Sequence, residues 1–297
     1  MAFDGYMRWR KLASGALIFM FTLEKLNRME NTLPSRQFRA IIAGDEGEIM
    51  LLESRREWSQ YGSVRTKSNG YVIWENSRLV AIATGFAEKS ANEKTGAMIQ
   101  VWILVKSHGP IEANRLGEDR KNCGGCPLKG QLSEITGKIE NRVCYVNLGQ
   151  APEGVYKAWR RGSYPEMPTV EIFRGKSVRL GAYGDPAFLP FLLIKSICET
   201  ASSWTGYTHQ WRAPVFAAFK RYLMASVEDE GGAVKAHQAG WRTFRIVNTS
   251  AERLANEIMC ANERNGMQCN ECGECAGTAR NEKSIMITAH GVGKANF

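Results

Sequence analysis

Ser177-Val-Arg-Leu-Gly-Ala-Tyr-Gly-Asp-Pro186 is the stretch on which the fold turns. Its first seven residues read as a β-strand, and Gly184-Asp185-Pro186 ends it. Phe188 to Ser202 then reads as an apolar helix, and the pattern repeats. Gly206–Trp211 is strand and Val215–Tyr222 helix; Leu223–Val227 is strand and Gly232–Gln238 helix. Trp241–Val247 is strand, Ser250 caps a helix running to about Met259, and Ser284–Ala289 is the last strand. Upstream, Met98-Ile-Gln-Val-Trp-Ile-Leu-Val105 is apolar enough for a strand buried on both faces. A hairpin of Tyr71–Trp74 and Leu79–Ala83 precedes it. A long cysteine-bearing loop and a helix over Pro152–Arg161, with proline near its start, follow it.

Strands alternating with helices at short spacing mean parallel βα units. Counted from Met98 they predict an α/β fold, a partial and open (β/α)6 barrel of the TIM type, with an open doubly wound sheet as the alternative. In both, working residues gather at the C-terminal ends of the strands. Gly184-Asp185-Pro186, His209-Gln210-Trp211-Arg212, Ser226-Val227-Glu228-Asp229 and His290-Gly291 all fall there. Both cysteine sets described below are expected on that side or close to it.

Residues 1–65 read as an N-terminal extension, and residues 66–297 as the α/β unit with its metal-binding loops at 120–146 and 260–277. Met7-Arg8-Trp9-Arg10-Lys11 followed by the apolar run Leu12 to Leu23 imitates the start of an export signal. The run is too short to span a bilayer as a helix, and Glu24-Lys25 follows without a small-residue cleavage site. A short amphipathic helix is expected there, and no membrane association.

The eight cysteines are bunched. Cys269, Cys272 and Cys275 recur every third residue, with Cys260 upstream; Cys123-Gly-Gly-Cys126-Pro and Cys144-Tyr145 form a looser set. Only Cys198 stands apart, inside an apolar helix, where it reads as a small buried hydrophobe. Such spacings suit metal ligation in a reducing, cytoplasmic setting better than disulfides. A tight C-x2-C-x2-C run suits one loop wrapped around a [4Fe–4S] cluster, with zinc as the alternative metal. Three mid-chain thiols leave a cluster one open iron, or recruit His108 or His209 as a fourth ligand to zinc.

The net charge of +9, with 44% hydrophobic and 23% charged residues, describes a globular chain with a basic surface. No Walker-type phosphate loop, G-x-G-x-x-G, H-E-x-x-H or G-x-S-x-G occurs. This argues against P-loop hydrolysis, Rossmann dinucleotide binding, zincin and α/β-hydrolase chemistry.

With strand, three-cysteine loop, second strand ending in Tyr183-Gly184-Asp185-Pro186, and four further cysteines in that order, the layout resembles the radical S-adenosylmethionine (SAM) superfamily. It is also similar to uncharacterised phage-encoded proteins that pair a spread cysteine motif ending in Cys-Tyr with a Gly-Asp motif. The resemblance covers about residues 98 to 291. It implies a [4Fe–4S] cluster on Cys123, Cys126 and Cys144 with one iron open to SAM. Gly184 and Asp185 would sit at the SAM amine and Ser226 at its ribose, and Cys260, Cys269, Cys272 and Cys275 would hold an auxiliary cluster. An electron donor and an unknown substrate, from which hydrogen is abstracted, complete the expectation. The usual loop is C-x3-C-x2-C; this one is C-x2-C-x17-C. The rival expectation is a zinc-stabilised, non-enzymatic nucleic-acid-binding protein, in which Trp159, Trp211 and Trp241 would stack bases.

Overall fold

A computed structural model describes residues 68–291 apart from 89, 91 and 280–282, together with four short strands before them. The chain divides into two compact units, Met1–Arg65 and Thr66–Phe297. In the first, β1 (Arg8–Lys11), β2 (Leu17–Phe21), β3 (Arg39–Ile42) and β4 (Ile49–Leu52) form an antiparallel sheet in the order β1-β2-β4-β3. The helix expected over Leu12–Leu23 is therefore corrected: Leu17-Ile-Phe-Met-Phe21 is strand. Ile and Phe fit a pleated surface better than a helix.

The second unit is mixed α/β around one large, mostly parallel sheet. Its strands are β5 (Gly70–Glu75), β6 (Leu79–Thr84), β7 (Ile99–Val105), β10 (Ser177–Tyr183), β11 (Ser203–Thr208), β12 (Met224–Val227), β13 (Thr243–Val247), β14 (Glu257–Met259) and β15 (Ser284–Thr288). The small ribbon β8 (Gln131–Leu132) and β9 (Ile139–Glu140) lies in the cysteine loop. The sheet runs β14-β15-β13-β12-β11-β10-β7-β6-β5. From β14 to β7 all neighbours are parallel; the hairpin β5–β6 closes the edge antiparallel. From β7 to β13 each new parallel strand lands beside the previous one, without the reversal of a doubly wound sheet.

The two faces of this sheet differ. One carries the main core: Val101, Ile103, Val178, Leu180, Trp204, Ala225 and Val227 pack with Ile194 and Ile197 of the helix Phe191–Thr200, and with Ala233 and Ala236 of the helix Glu230–Gln238. Strand alternation sends Thr205, Tyr207, Ser226, Phe244, Ile246 and Ile287 to the other face, where they line a cavity. Trp211 and Trp241, expected to stack bases, are 5% and 3% exposed and belong to the main core. Trp159 is half-buried against Tyr156.

The segment after Ser250 departs from expectation. Only Ser250–Glu252 is helical, a single 3-10 turn with a capping box of Thr249 and Glu252. The chain then straightens into β14, because Glu257 turns inward to pair with Arg245. β14 thus adds one parallel strand to those counted from the sequence. Among the described residues no helix is long and apolar enough to cross a membrane.

Candidate metal centres and the cavity between them

The mid-chain cysteines sit at the C-terminal ends of the strands. Buried Asn122 ties their loop down: its side-chain N–H donates to the Ile103 carbonyl of β7, and its own carbonyl accepts from Asp185 N. Gly124 has φ +56°, and a Cβ there would lie 2.6 Å from Gln210 Oε1, so the Cys-Gly-Gly-Cys turn needs glycine at that position. Cys144 returns to this loop because its N–H and that of Val143 both donate to the Leu128 carbonyl, while Arg142 holds the Cys144 and Val146 carbonyls. Cys123, Cys126 and Cys144 then line one cavity of about 360 Å³ together with Gly184, Asp185 and Ser226.

Asp185 is buried and fully engaged. One carboxylate oxygen accepts from Ala187 N, capping the turn Pro186–Phe188; the other accepts from His209 N and from the Gln210 side-chain amide. Gly184 has φ +82°, and a Cβ would lie 2.6 Å from the Ile103 carbonyl oxygen, so strand packing alone demands glycine there. His209 Nε2 donates to the Glu228 carboxylate at 2.7 Å and lies 3.8 Å from the Cys126 sulfur. Burial opposes charge on this imidazole, but its bonds to Cys126 and Glu228 outweigh that and hold its pKa up to about 10. His108 contacts Ser107 and does not line the cavity.

Of the C-terminal cysteines, Cys260 directly follows β14, but the loop of Cys269, Cys272 and Cys275 lies toward the opposite ends of the strands, which corrects the expectation of a shared side for those three. Cys269 N donates to the Lys94 carbonyl and Asn270 N to that of Thr95, both ahead of β7. Buried Arg242, just ahead of β13, donates to the carbonyls of Glu274, Gly277 and Lys283. Gly206 N of β11 donates to the Cys275 carbonyl. Cys260 directly follows β14, its N–H on the Met286 carbonyl. These ties gather Cys260, Cys269, Cys272 and Cys275 around a second cavity of about 250 Å³. Cys269, Lys94, Thr205, Tyr207 and Phe244 line both cavities and form the wall between them.

None of the eight cysteines is in a disulfide. Burial raises the pKa of Cys123, Cys144, Cys269, Cys272 and Cys275, and in each case neighbouring thiols of the same set add to it. Bunched thiols that oppose each other's ionisation are a donor set which a bound cation relieves. Among the described residues no Cys, His, Asp or Glu group closes on a point that a single ion would fill. Cys198 is buried in the main core, away from both sets.

Gln210 is the residue that sequence reasoning left without a role. Its side chain accepts from Gly125 N and donates to the Cys123 carbonyl and to Asp185, joining the cysteine turn to two strand ends. Gln210→Ala is expected to lower the unfolding free energy by about 1–3 kcal/mol, the cost of leaving buried partners unpaired. Urea denaturation measures it, and an unchanged midpoint would contradict the clasp.

No protein-family model matches the chain, and no curated protein or solved structure is similar enough to count as a match.

Proposed function

We propose that this chain is an iron–sulfur protein of the radical-SAM-like kind, built on a partial (β/α) barrel. The observation that carries the reading is the placement of every cysteine but Cys198 around two cavities on the face of the sheet opposite its main core. Strand order without reversal from β7 to β13 favours the partial barrel over a doubly wound sheet. The three-thiol set borders open cavity space at the strand ends, as a [4Fe–4S] cluster with one free iron requires. The four-thiol set fits an auxiliary cluster.

Bound there, the cluster supplies one electron, and SAM the radical that takes hydrogen from a substrate. The chain's own residues bind, orient and exclude water. Asp185 acts by position: with three N–H donors on its carboxylate, it holds Gly184 and His209 at the cavity rather than offering a free anion to the SAM amine. Ser226, buried at the end of β12, is the polar residue placed for a ribose hydroxyl. The His209–Glu228 pair keeps a proton beside Cys126.

The second reading, a zinc-stapled nucleic-acid-binding protein, draws on His209 beside Cys126 and on the +9 charge. Metal analysis separates the two. Anaerobic reconstitution is expected to give about eight irons per chain, broad absorption near 400 nm and saturable SAM binding by calorimetry. A colourless protein carrying stoichiometric zinc would favour the second reading. Iron without SAM binding would leave an iron–sulfur protein and remove the radical-SAM part.

A further inference from the structure

Two cations that the proposed chemistry does not use line the larger cavity. Arg179 projects from β10 into the larger cavity, and Lys94 reaches both cavities from the loop ahead of β7. No carboxylate among the described residues lies within ion-pair distance of either. Glu263, the nearest acid to influence Lys94, is occupied by the backbone N–H and hydroxyl of Thr288.

Each cation is held in place by a neutral partner. Arg179 donates one N–H to the Tyr145 hydroxyl at 2.6 Å, and the rest of its fork has no protein acceptor among the described residues. Lys94 approaches His290 Nε2 at 3.2 Å, while His290 Nδ1 lies 3.0 Å from the Thr288 carbonyl. A carbonyl only accepts, so Nδ1 carries the proton and Nε2 accepts from Lys94. That leaves Lys94 with further N–H donors. Tyr145 stacks on His290 at 5.3 Å, so one aromatic pair carries both cations, and the Tyr145 hydroxyl proton is itself free to donate. Two like charges facing one partly enclosed space repel, and among the described residues no carboxylate is placed to offset their burial. An anion between them removes both penalties.

We infer that Arg179, Lys94 and the Tyr145 hydroxyl form a binding site for the carboxylate or phosphate group of the substrate, between the two cysteine sets. The inference deepens the proposed function and rests on it for the word substrate. Arg179 and Tyr145 line the larger cavity with Gly184, Asp185 and Ser226, and Lys94 lines both cavities beside Cys269. Titration with and without SAM tests whether the anion site is separate from the position SAM would take. A planar guanidinium matches either oxyanion in a bidentate way, so the site does not by itself choose between carboxylate and phosphate.

The test titrates inorganic phosphate, and separately succinate, into the anaerobically reconstituted full chain, with and without saturating SAM. Iron is measured on every sample. Saturable binding of at least one anion is expected, unaffected by SAM. Arg179→Gln and Lys94→Gln should each weaken it about ten- to hundred-fold with iron content unchanged, and Arg179→Lys should recover part of the loss. The better-bound anion names the source chemistry. No saturable binding, displacement by SAM, indifference to both variants, or loss of iron in them would each overturn the site. Anion binding that survives in a protein without iron would keep the site and fail only the proposed function.

Discussion

Glu257→Ala is expected to lower the unfolding free energy by about 3–5 kcal/mol, because it strands a buried guanidinium. Arg245 Nε and Nη2 each donate to one Glu257 carboxylate oxygen at 2.7 Å, and the two side chains are 3% and 0% exposed. The remaining contacts are also made: Arg245 donates to the Glu252 carbonyl, and Leu254 N donates to Glu257. Removing the carboxylate leaves the charge in a site closed to water, whereas removing both partners does not. Arg245→Met with Glu257→Leu should therefore recover most of the loss. Urea denaturation of the three variants decides it; a loss under about 1 kcal/mol for Glu257→Ala would mean that water reaches Arg245. The effect reaches function, because β14 ends one residue before Cys260. A chain that cannot hold Glu257 inward should also bind less iron at the C-terminal set.

That same pair marks where sequence reading stops. The segment Ser250 to Met259 has helical propensity and a capping signal, and both were legible; the box forms but serves a single turn. What straightens the chain is a charge partner on β13, a long-range contact that no local window contains. Alternation of strands and helices from Met98 onward was legible because each strand buries a continuous apolar face, but the strand expected at Gly206–Trp211 lies at Ser203–Thr208, and the helix expected at Val215–Tyr222 is a 3-10 helix, Pro214–Arg221. At the N-terminus a short apolar run lacks enough residues to separate periods of 3.6 and 2, and the run settled as strand. Cysteine spacing grouped the thiols, but not their places. Cys144 joins Cys123 and Cys126 through the Leu128 carbonyl, and the loop of Cys269, Cys272 and Cys275 is carried to the far strand ends by Arg242, an interior cation with no spacing signature. Gln210 was legible as polar and as strand-terminal; its clasp on Cys123 and Asp185 depends on two partners remote in sequence.

Cys144→Ala carries the largest functional effect: iron should fall from about eight to about four per chain, and SAM binding should vanish. The backbone around Cys144 is fixed independently of its sulfur, by Val143 N and Cys144 N on the Leu128 carbonyl and by Arg142 on the Cys144 and Val146 carbonyls. Losing the thiol therefore removes a ligand without releasing the loop. Cys272→Ala should also halve the iron but leave SAM binding intact, because Cys272 lines only the second cavity. It should lower the melting temperature more than Cys144→Ala does. The short helix Cys269–Cys272 and the turns around it bury little apolar surface, so metal binding supplies much of their stability. The shared wall makes the comparison sharp. Cys269 faces both cavities, so a single site drawing on both sets is the competing arrangement. In that arrangement either substitution would strip all the iron and abolish SAM binding together. With two separate sites, iron halves in both variants and SAM binding splits between them, and an unchanged iron content in Cys144→Ala would take the mid-chain thiols out of metal binding.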